Sequence, residues 1–364
     1  MLQLYYNHLL DNGVSAEQVV YLNFEDYGTI HLQNDRDLYE FLKGQKVDGK
    51  KMYFLFDEIQ DVENWQKLVN GLRVTFDCDI TITGSNAKML SGEMATYLAG
   101  RYIEIRVFPL SFKEFAEGKL GKDYDSRKLP KLFDEYIRYG GFPAVALANE
   151  DMKDTILSGI VDTVLLNDIA SRGGVRDINI LKRITRFLAD NIGQFVSHTK
   201  IANTLTSANL KVTKPTAIKY VDLMEDAFLF YPASRYDIRG KEYLYQQNKF
   251  YIVDSGLRHN LLNRKADNRG SELENIVYIE LLRRGYTVDV GKIDTNEIDF
   301  IARRMDEILY IQVALELAND TRETDNLLHI RENHQKMVIT QKLEEQTMID
   351  GIPIVNVIDW LLKE

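Results

Sequence analysis

The residues with the clearest chemical potential in this sequence are two adjacent acids, Asp57 and Glu58, in the stretch YFLFDEIQ. An apolar run leads directly into these acids, which is how a buried strand brings carboxylates to the rim of a sheet. At such a strand end, Asp57 could hold Mg²⁺ through water, and Glu58 could polarise a water that attacks a phosphoryl group. The alternative is a pair of solvated acids in a strand-to-helix turn.

Polar residues end the next strand as well. The segment TITGSNAKML places Ser85 and Asn86 where a sensor of the γ-phosphate would lie, although a helix cap after a glycine turn explains the same residues. Arg101 stands just ahead of a further predicted strand, where its guanidinium could reach a phosphate within the subunit or across a subunit interface. Read alone, Arg101 is better explained as an ordinary surface arginine.

The elements that must position these residues alternate between strands and helices. Apolar strands are predicted at VVYLNFE, MYFLFDE, DITITGS and RYIEIRV, with helices at DRDLYEFLKG and WQKLVNGLRV and an opening helix over residues 1–12. Near-continuous apolar strands separated by helices indicate a parallel sheet covered on both faces. The first part of the chain is therefore predicted to be an α/β domain.

The pattern changes twice further along, which predicts three domains at residues 1–150, 151–262 and 263–364. In the second, the helices GQFVSHTKIANTL and KPTAIKYVDLMEDAFLF precede an alternating hairpin, YPASRYDIRGKEYLY, in the order of a winged helix. In the third, an amphipathic helix, SELENIVYIELLRRGY, precedes the strands EIDFIAR, LYIQVAL and KMVIT. The third domain is therefore predicted to be α+β.

Composition limits both the partners and the cellular compartment that we expect for this protein. The 364 residues carry a net charge of −10, which argues against a surface coated with positive charge for non-specific nucleic-acid binding. Cys78 is the single cysteine, so an intrachain disulfide and a C-x-x-C metal site are both excluded. No apolar run is long enough for a membrane span, and the N-terminus does not read as a signal peptide. We expect a cytoplasmic protein without a membrane partner.

Five segments together resemble a known family. VVYLNFED, YFLFDEIQDV, TITGSNAKMLSGEMATYLAGRY, VFPLSFKEF and YGGFPAV occur in this order and at the spacing found in bacterial and archaeal AAA+ ATP-binding proteins that carry a C-terminal nuclease-like domain of unknown function. The likeness covers essentially the whole chain and is most specific from Tyr53 to Phe115. It implies an AAA+ sheet of the P-loop NTPase class, with ATP and Mg²⁺ as cofactors.

The resemblance also implies roles for individual residues. Asp57 and Glu58 match the Walker B pair of the family, and the turn at Ser85 and Asn86 matches its sensor segment. Arg101 matches the arginine finger more loosely, and that role would involve self-association across the ATP site. The leading hypothesis is thus an ATPase, and the alternative is a non-enzymatic module that associates with DNA or with another protein.

The phosphate-binding loop of such a family, G-x-x-x-x-G-K-S/T, must follow a strand and open a helix. The near match GQKVDGKK, from Gly44 to Lys51, lies instead between a predicted helix and the strand that carries Asp57, so we interpret it as a basic turn. By resemblance, the helix at residues 1–12 is the one that the loop opens, so we expect the first strand and the loop to precede Met1. The absent strand would be central, and ATP binding by the chain as given is expected to be weak.

The predicted winged helix carries cations that could meet DNA phosphates: Lys211, Lys214, Lys219, Arg235, Arg239 and Lys241. The alternative is a solvated face on a packing or partner module, which the acidic total and the acids Glu225 and Asp226 on the same helix favour. DNA is therefore a possible partner of this domain, and protein packing is the competing explanation.

The third domain has the layout of a PD-(D/E)xK nuclease core, in which acids bind Mg²⁺ and a lysine activates water. Glu274 would be the helix acid, Asp299 the strand acid, and Gln312 the residue at the E/Q position. Ala314 stands where the lysine is needed. We therefore expect a degenerate site, in a fold kept for structure or partner recognition.

Overall fold

The computed structural model describes residues 1–85, 100–171, 173–263, 268–317 and 322–363. The chain divides into two compact units, residues 1–105 and 106–364, each treated by itself below. Within the described ranges, no helix combines the length and the apolar character that crossing a lipid bilayer requires. The proposed division into three domains remains a prediction, and its boundary near residue 262 falls inside the second unit.

The first unit is built around a small parallel sheet. Its elements are α1 (Leu2–Asp11), β1 (Val19–Asn23), α2 (Asp35–Gly44), β2 (Met52–Asp57), α3 (Trp65–Thr75) and β3 (Cys78–Ile82), with 3₁₀ turns at Ala16–Gln18, Tyr27–Leu32 and Ile59–Asp61. The strand order is β1-β2-β3, and both pairings are parallel. The strand that ends in Asp57 is therefore the central strand of this sheet.

The two faces of β2 are covered by different helices. Phe54 and Phe56 belong to a cluster with buried residues of α2 and α3, whereas Leu55 packs with Leu2 and Leu9 of α1. Successive side chains of a strand point to opposite faces, so Asp57 lies on the same face as Leu55. The opening helix predicted from the sequence is thus present, and it covers the face of the sheet that carries Asp57.

The strand predicted at Arg101–Val107 is wrong. Residues 102–107 form no strand, and their apolar side chains face solvent, with Ile103 90% and Ile105 81% exposed. Among the described residues, β3 is the edge of the sheet and pairs with β2 alone. An alternating apolar segment becomes a strand only when it pairs with another strand, and among the described residues this segment pairs with none.

The second unit begins with helices. They are α4 (Phe112–Leu120), α5 (Leu129–Tyr139), α6 (Pro143–Leu147), α7 (Glu150–Thr163) with a π-helical extension (Val164–Ser171), α8 (Ile178–Asp190), α9 (His198–Ser207), α10 (Lys214–Asp226), α11 (Ser255–Leu261), α12 (Arg269–Arg283), α13 (Arg322–Leu328) and α14 (Val357–Leu362). The glycine pair of YGGFPAV separates α5 from α6, and the N–H of Gly141 donates to Asp254 Oδ2.

Nine strands of this unit share one sheet. They are β4 (Phe195–Val196), β5 (Phe230–Asp237), β6 (Glu242–Ile252), β7 (Thr287–Ile293), β8 (Asn296–Arg304), β9 (Glu307–Ala314), β10 (Gln335–Thr340), β11 (Met348–Ile349) and β12 (Ile352–Asn356), in the order β11-β12-β10-β9-β8-β7-β5-β6-β4. The predicted hairpin is β5–β6, and β5 pairs in parallel with β7. The hairpin is therefore continuous with the C-terminal strands, and its side chains can reach theirs.

Candidate functional site

The acid pair lies at the carboxyl end of the central strand β2. Each carboxylate oxygen of Asp57 accepts a hydrogen bond from a hydroxyl: Oδ1 from Thr83, which follows β3, and Oδ2 from Tyr21 of β1 at 3.1 Å. The donors come from the strands on either side of β2, so the sheet itself orients the Asp57 carboxylate. Asp57 is partly buried, which leaves part of its carboxylate facing solvent.

Glu58 leaves the strand in the left-handed backbone region, with φ of 53°. Its N–H donates to Thr83 Oγ1 at 3.2 Å, and its Oε2 accepts from Ser85 Oγ at 3.4 Å and from the amide of Gln60. Left-handed backbone in a non-glycine residue costs free energy and is frequent at functional sites. Here it turns the chain sharply after β2 and keeps the Glu58 carboxylate beside the tip of β3.

The structure brings together three of the predicted residues of this site, Asp57, Glu58 and Ser85. Asn86 lies outside the described residues. Arg101 is exposed, and within the described ranges no hydrogen bond or ion pair joins it to either acid. Its proposed role as an arginine finger therefore remains a prediction.

Two residues of this site were missed by the sequence analysis, Tyr21 and Gln60. Tyr21 could have been found from register, because β1 and β2 pair with Asn23 opposite Asp57, which puts Tyr21 on the same face as the acid. Burial, together with the hydrogen bond and charge of Asp57, raises the pKa of the Tyr21 phenol. The phenol thus stays protonated and acts as a donor to the carboxylate.

The arrangement around Asp57 fits Mg²⁺. Each oxygen accepts one hydrogen bond from a hydroxyl and so retains acceptor capacity, and in the described residues no lysine or arginine pairs with this carboxylate. Within the described residues, no three or more His, Cys, Asp or Glu side chains lie close enough together to hold a metal ion. That is compatible with Mg²⁺, which commonly keeps several waters and takes one or two protein carboxylates beside substrate phosphates.

The segment GQKVDGKK does not have the geometry of a phosphate-binding loop. Gly44 ends α2, and the following residues lead through a turn into β2, as the sequence pattern predicts. Lys51 pairs with Asp79 at 2.8 Å instead of facing a helix N-terminus. The phosphate-gripping half of an ATP site is therefore not supplied by this segment.

The second group of predicted residues also comes together, in the C-terminal unit. Glu274 lies on α12, Asp299 on β8 and Gln312 on β9. Asp299 Oδ2 accepts from the N–H of Val313 at 2.8 Å, and the N–H of Asp299 donates to Gln312 Oε1 at 2.7 Å. The Gln312 amide in turn donates to Glu323 at 2.6 Å. Both ends of the Gln312 side chain are thereby engaged within the protein.

A lysine that the sequence analysis missed lies among these acids. Lys249 of β6 is buried, with 4% of its side chain exposed, and its ammonium is 2.9 Å from Glu274 Oε1 and 2.7 Å from Glu297 Oε1. Tyr251, two residues further along β6, donates to Glu274 Oε1 at 2.5 Å. The one signal for Lys249 in the sequence is its place directly before the apolar run FYIV of a strand.

Electrostatics couple the members of this group. Burial acts to lower the pKa of Lys249, but the carboxylates of Glu274, Asp299 and Glu297 outweigh it and hold that pKa above the ordinary value. Burial and the charge of Glu274 raise the pKa of Asp299 well above its ordinary value, against the opposing effect of Lys249. The ammonium therefore stays charged, and the crowding of acids favours the protonated form of Asp299.

The cations of the predicted winged helix fall into two sets. Lys211, Lys214 and Lys219 are exposed, on or beside α10. Those of the hairpin are engaged: Arg239 pairs with Asp294 at 2.5 Å, Lys241 with Glu332 at 4.0 Å, and the Arg235 guanidinium stacks 4.7 Å from the Phe195 ring centroid. Any DNA contact would thus depend chiefly on the α10 side.

Comparison with known proteins agrees with the geometry of the first unit. Residues 1–116 match the family model of an AAA domain, and residues 130–268 match a domain of unknown function, DUF8612. A parallel sheet whose central strand ends in an acid pair, together with the first match, defines an AAA-like protein. The match to DUF8612 adds no activity to the second unit.

Two relatives align along most of the chain. An uncharacterized protein of Haemophilus influenzae is 54% identical over 364 residues, which is 100% of this chain and 91% of the relative. The uncharacterized protein MJ1544 of Methanocaldococcus jannaschii is 33% identical over 88% of this chain and 74% of its own length. The chain belongs to the same family as these two uncharacterized proteins, and its own residues 1–116 match an AAA domain.

Among solved structures, the Walker-type ATPase Paby2304 of Pyrococcus abyssi aligns with 14% identity and a TM-score of 0.40. The alignment covers 62% of this chain and 66% of that chain. This similarity is too low to carry an argument about fold or activity, which rest on the family match and on the geometry above.

Proposed function

We propose that the protein is an ATPase of the AAA class, and that its first unit holds the Walker B half of the ATP site. The observation that carries the proposal is the position of Asp57 and Glu58 at the carboxyl end of a central parallel strand, where the hydroxyls of Thr83 and Ser85, just after β3, donate to their carboxylates. The family match of residues 1–116 to an AAA domain supports the same assignment.

In this proposal, each residue of the site has a separate role. Asp57, oriented by Tyr21 and Thr83, would hold Mg²⁺ through its remaining acceptor positions, and the metal would neutralise phosphate charge. Glu58, held beside the tip of β3 by Ser85 and Gln60, would polarise the attacking water. Arg101 is kept in the proposal as a group that acts on a phosphate across a subunit interface.

A phosphate-gripping loop is missing from this scheme, because no G-x-x-x-x-G-K-S/T occurs in the 364 residues. Backbone N–H groups and the lysine of such a loop supply most of the grip on the β- and γ-phosphates. We therefore expect the chain as given to bind ATP weakly. Cytoplasmic location remains part of this proposal.

The test is a titration of a fluorescent ATP analogue onto the 364-residue chain with and without Mg²⁺. We expect no saturation in the micromolar range, and micromolar affinity would contradict the impairment. The DNA upstream of Met1 is then read for an in-frame strand and phosphate-binding loop. If it encodes them, the extended protein should hydrolyse ATP, Glu58→Gln should retain binding and lose turnover, and Asp57→Asn should weaken Mg²⁺-dependent binding. An extended protein whose turnover survives Glu58→Gln would contradict the assignment.

A DNA-associated role is the second candidate, and one observation favours it. The order α8-β4-α9-α10-β5-β6 is compatible with a winged helix, and three lysines on or beside α10 face solvent. A double variant Lys214→Ala/Lys219→Ala should weaken duplex binding and lower the slope of log affinity against log salt by about one per lost phosphate contact. Lys241→Ala, at a lysine paired with Glu332, is the matched control. Unchanged binding in the double variant would remove this candidate.

We also infer that the C-terminal group is nuclease-like in arrangement but inactive. Ala314 brings no cation to the end of β9, and Gln312 is engaged by Glu323 and by the backbone of Asp299. Purified protein should show no Mg²⁺-dependent cleavage of DNA or RNA above that of an Asp299→Asn variant. Cleavage that this substitution abolishes would contradict the inference.

A further inference from the structure

The buried carboxylate of Asp254 joins two parts of the second unit that are far apart in the sequence. Asp254 is 5% exposed and caps the start of α11, where its Oδ1 accepts from the N–H of Leu257 at 3.2 Å. Its Oδ2 accepts from the N–H of Gly141 at 2.7 Å, 113 positions away in the sequence, in the break between α5 and α6. Helix capping therefore explains only one of these two bonds.

Gly141 extends this connection to a third segment. Its C=O accepts from the N–H of Leu110 at 2.8 Å, and the C=O of Leu110 accepts from the Tyr136 hydroxyl at 2.9 Å. Residues 108–111, called the strap below, lead into α4 and follow the first unit in the sequence. One residue, Gly141, thus links the buried carboxylate to the strap.

The backbone approaches too closely at this point for side chains to fit. A Cβ on Gly140 would overlap Asp254 Oδ1, and a Cβ on Gly141 would overlap the C=O of Leu110. Gly140 also has a φ of 75°, which side chains other than hydrogen disfavour. The glycine pair of YGGFPAV is therefore what allows the break to contact the carboxylate and the strap together.

The groups around Asp254 do not balance its charge fully. The titratable and charged side chains that face it are Tyr136 of α5 and Glu280 and Arg283 of α12, and Glu280 itself pairs with Arg283 at 3.1 Å. Burial outweighs the backbone N–H donors and the charge of Arg283, and it raises the pKa of Asp254 to about 6. Burial also raises the pKa of the Tyr136 phenol, which stays protonated. The closed arrangement thus favours a protonated Asp254.

A small polar cavity lies beside this carboxylate. Its volume is about 20 Å³, which is enough for one water molecule. Its lining includes the polar side chains of Tyr136, Ser255, Asn275, Glu280 and Arg283. An ionised carboxylate regains hydration when it leaves a buried position, and the cavity is where water can first reach it.

We propose that Asp254 is a proton-controlled latch on the strap. While Asp254 is protonated, the latch is closed, and Gly141 and Leu110 keep their partners. When Asp254 ionises, its carboxylate takes up water from the side of the cavity, and the contact with Gly141 opens more readily and loosens the strap. The inference holds whether or not residues 1–105 bind ATP.

The competing explanation is that Asp254 serves α11 alone, as its N-cap. Ionisation would then affect the start of α11 and leave the strap unchanged. The geometry favours the latch, because the bond to Gly141 is the shorter of the two and Gly140 leaves the carboxylate the space that it occupies. The two explanations differ in which backbone amides respond to pH.

The test is hydrogen exchange of the full chain from pH 4 to pH 7, with the intrinsic pH dependence of exchange divided out. Closing binds a proton, so protection of the strap and of the α5–α6 break should fall about tenfold per pH unit between about pH 4 and pH 6. This is about a hundredfold in total. Low urea should change this exchange little, because the opening is local. In Asp254→Asn, protection of both segments should not vary with pH.

A matched control is Asp289→Asn in the same unit. Asp289 is another acid whose pKa is raised by burial, and it pairs with Arg303. Its replacement should leave the pH dependence of exchange in the strap and in the break as it is in the wild-type protein. Loss of that dependence in this variant would show that the response belongs to the unit as a whole and would contradict the latch.

Four further results would overturn the proposal. These are protection of the strap that is independent of pH, the same pH dependence in Asp254→Asn, a response confined to the start of α11, and exchange with the full urea dependence of global unfolding. If Asp254→Asn does not fold, the wild-type protein and Asp289→Asn decide. A pH-dependent and urea-insensitive opening of the strap and the break in both proteins supports the latch, and its absence from either contradicts it.

Discussion

Each unit of this protein holds a strand aspartate with an accompanying glutamate, and the two sites differ in what partners the acids. Asp57 receives hydrogen bonds from the hydroxyls of Tyr21 and Thr83, and within the described residues no lysine or arginine pairs with it. In the second unit, Glu274 receives the ammonium of Lys249, whose charge also acts on Asp299. Both aspartates are partly exposed, and the clearest difference between them lies in the groups that donate to the acids of each site.

The comparison teaches what leaves a carboxylate able to act on a ligand. Hydroxyl donors orient a carboxylate without neutralising it, so the negative charge remains for Mg²⁺. An ammonium both orients a carboxylate and neutralises it, so the negative charge is balanced within the protein. A strand aspartate with a nearby glutamate can therefore belong to a ligand site in one unit and to a structural ion cluster in the other.

The largest effect that separates the two units is the loss of a lysine. Lys249→Met should lower the free energy of unfolding by about 3 kcal/mol, because a buried ion pair loses one partner. Lys51→Met in the first unit should cost about 0.5 kcal/mol or less, since Lys51 and Asp79 are 40% and 54% exposed in their side chains. Urea unfolding of both variants measures the contrast, and equal losses would contradict it.

The pH dependence of Asp254 reports on a buried carboxylate that forms no ion pair with a lysine or arginine of the described residues, although the charge of Arg283 acts to lower its pKa. This carboxylate accepts from the N–H groups of Gly141 at 2.7 Å and Leu257 at 3.2 Å, and burial raises its pKa to about 6. Because the folded pKa lies above the unfolded value, its protonated form stabilises the fold below about pH 4. That contribution, up to about 3 kcal/mol, is lost as pH rises from about 4 to about 6.

The measurement is urea unfolding at intervals from pH 4 to pH 7 for the wild-type protein and for Asp254→Asn. Raised pKa values at Asp299 and Glu225 add a slope of the same sign, so only the difference between the two proteins reports on Asp254. The variant should be less stable at low pH, because its amide meets backbone donors, and its stability should fall less steeply. Parallel curves would show that Asp254 does not titrate in this range.

The alternation of strands and helices in residues 1–85 could be predicted from sequence, because each element there carries its own periodicity and its own end signals. The strand expected at Arg101–Val107 could not, since pairing is a property of two segments and periodicity reports on only one. Tyr21 and Gln60 escaped for a related reason: their hydrogen bonds to Asp57 and Glu58 depend on register and on a left-handed turn.

In the second unit, sequence spacing named Glu274, Asp299 and Gln312, and the structure places them together. It missed Lys249 because the search for a lysine followed the motif to Ala314, on the same strand as Gln312. The lysine is supplied by β6, which the sequence analysis assigned to a different domain. When two charged partners lie in different predicted domains, no local sequence pattern links them. Here the link is visible only because the structure joins their strands in one continuous sheet.

A matched pair of tyrosines refines the comparison further. Tyr251 donates to Glu274 within the ion cluster, and its ring is buried. Tyr251→Phe should lower the free energy of unfolding by about 2 kcal/mol, because a hydrogen bond to a charged group is lost where water cannot replace it. Thermal unfolding of the Tyr251→Phe variant measures the loss, with Tyr21→Phe as the reference variant. A loss no larger than that of the reference would show that the cluster tolerates the missing donor.

The smallest effect belongs to Tyr21→Phe itself. The hydroxyl lies 3.1 Å from Asp57 Oδ2, but both residues are partly exposed, so water can take its place and we expect a loss of about 0.5 kcal/mol. The functional consequence should be larger than the structural one, because the carboxylate loses one of its two orienting donors while it keeps its charge. In a nucleotide-competent form of the protein, Tyr21→Phe should therefore raise the Mg²⁺ concentration needed for half-maximal turnover and leave the unfolding curve almost unchanged. The opposite pattern, a large loss of stability with an unchanged Mg²⁺ requirement, would place Asp57 beside Glu274 as a structural acid.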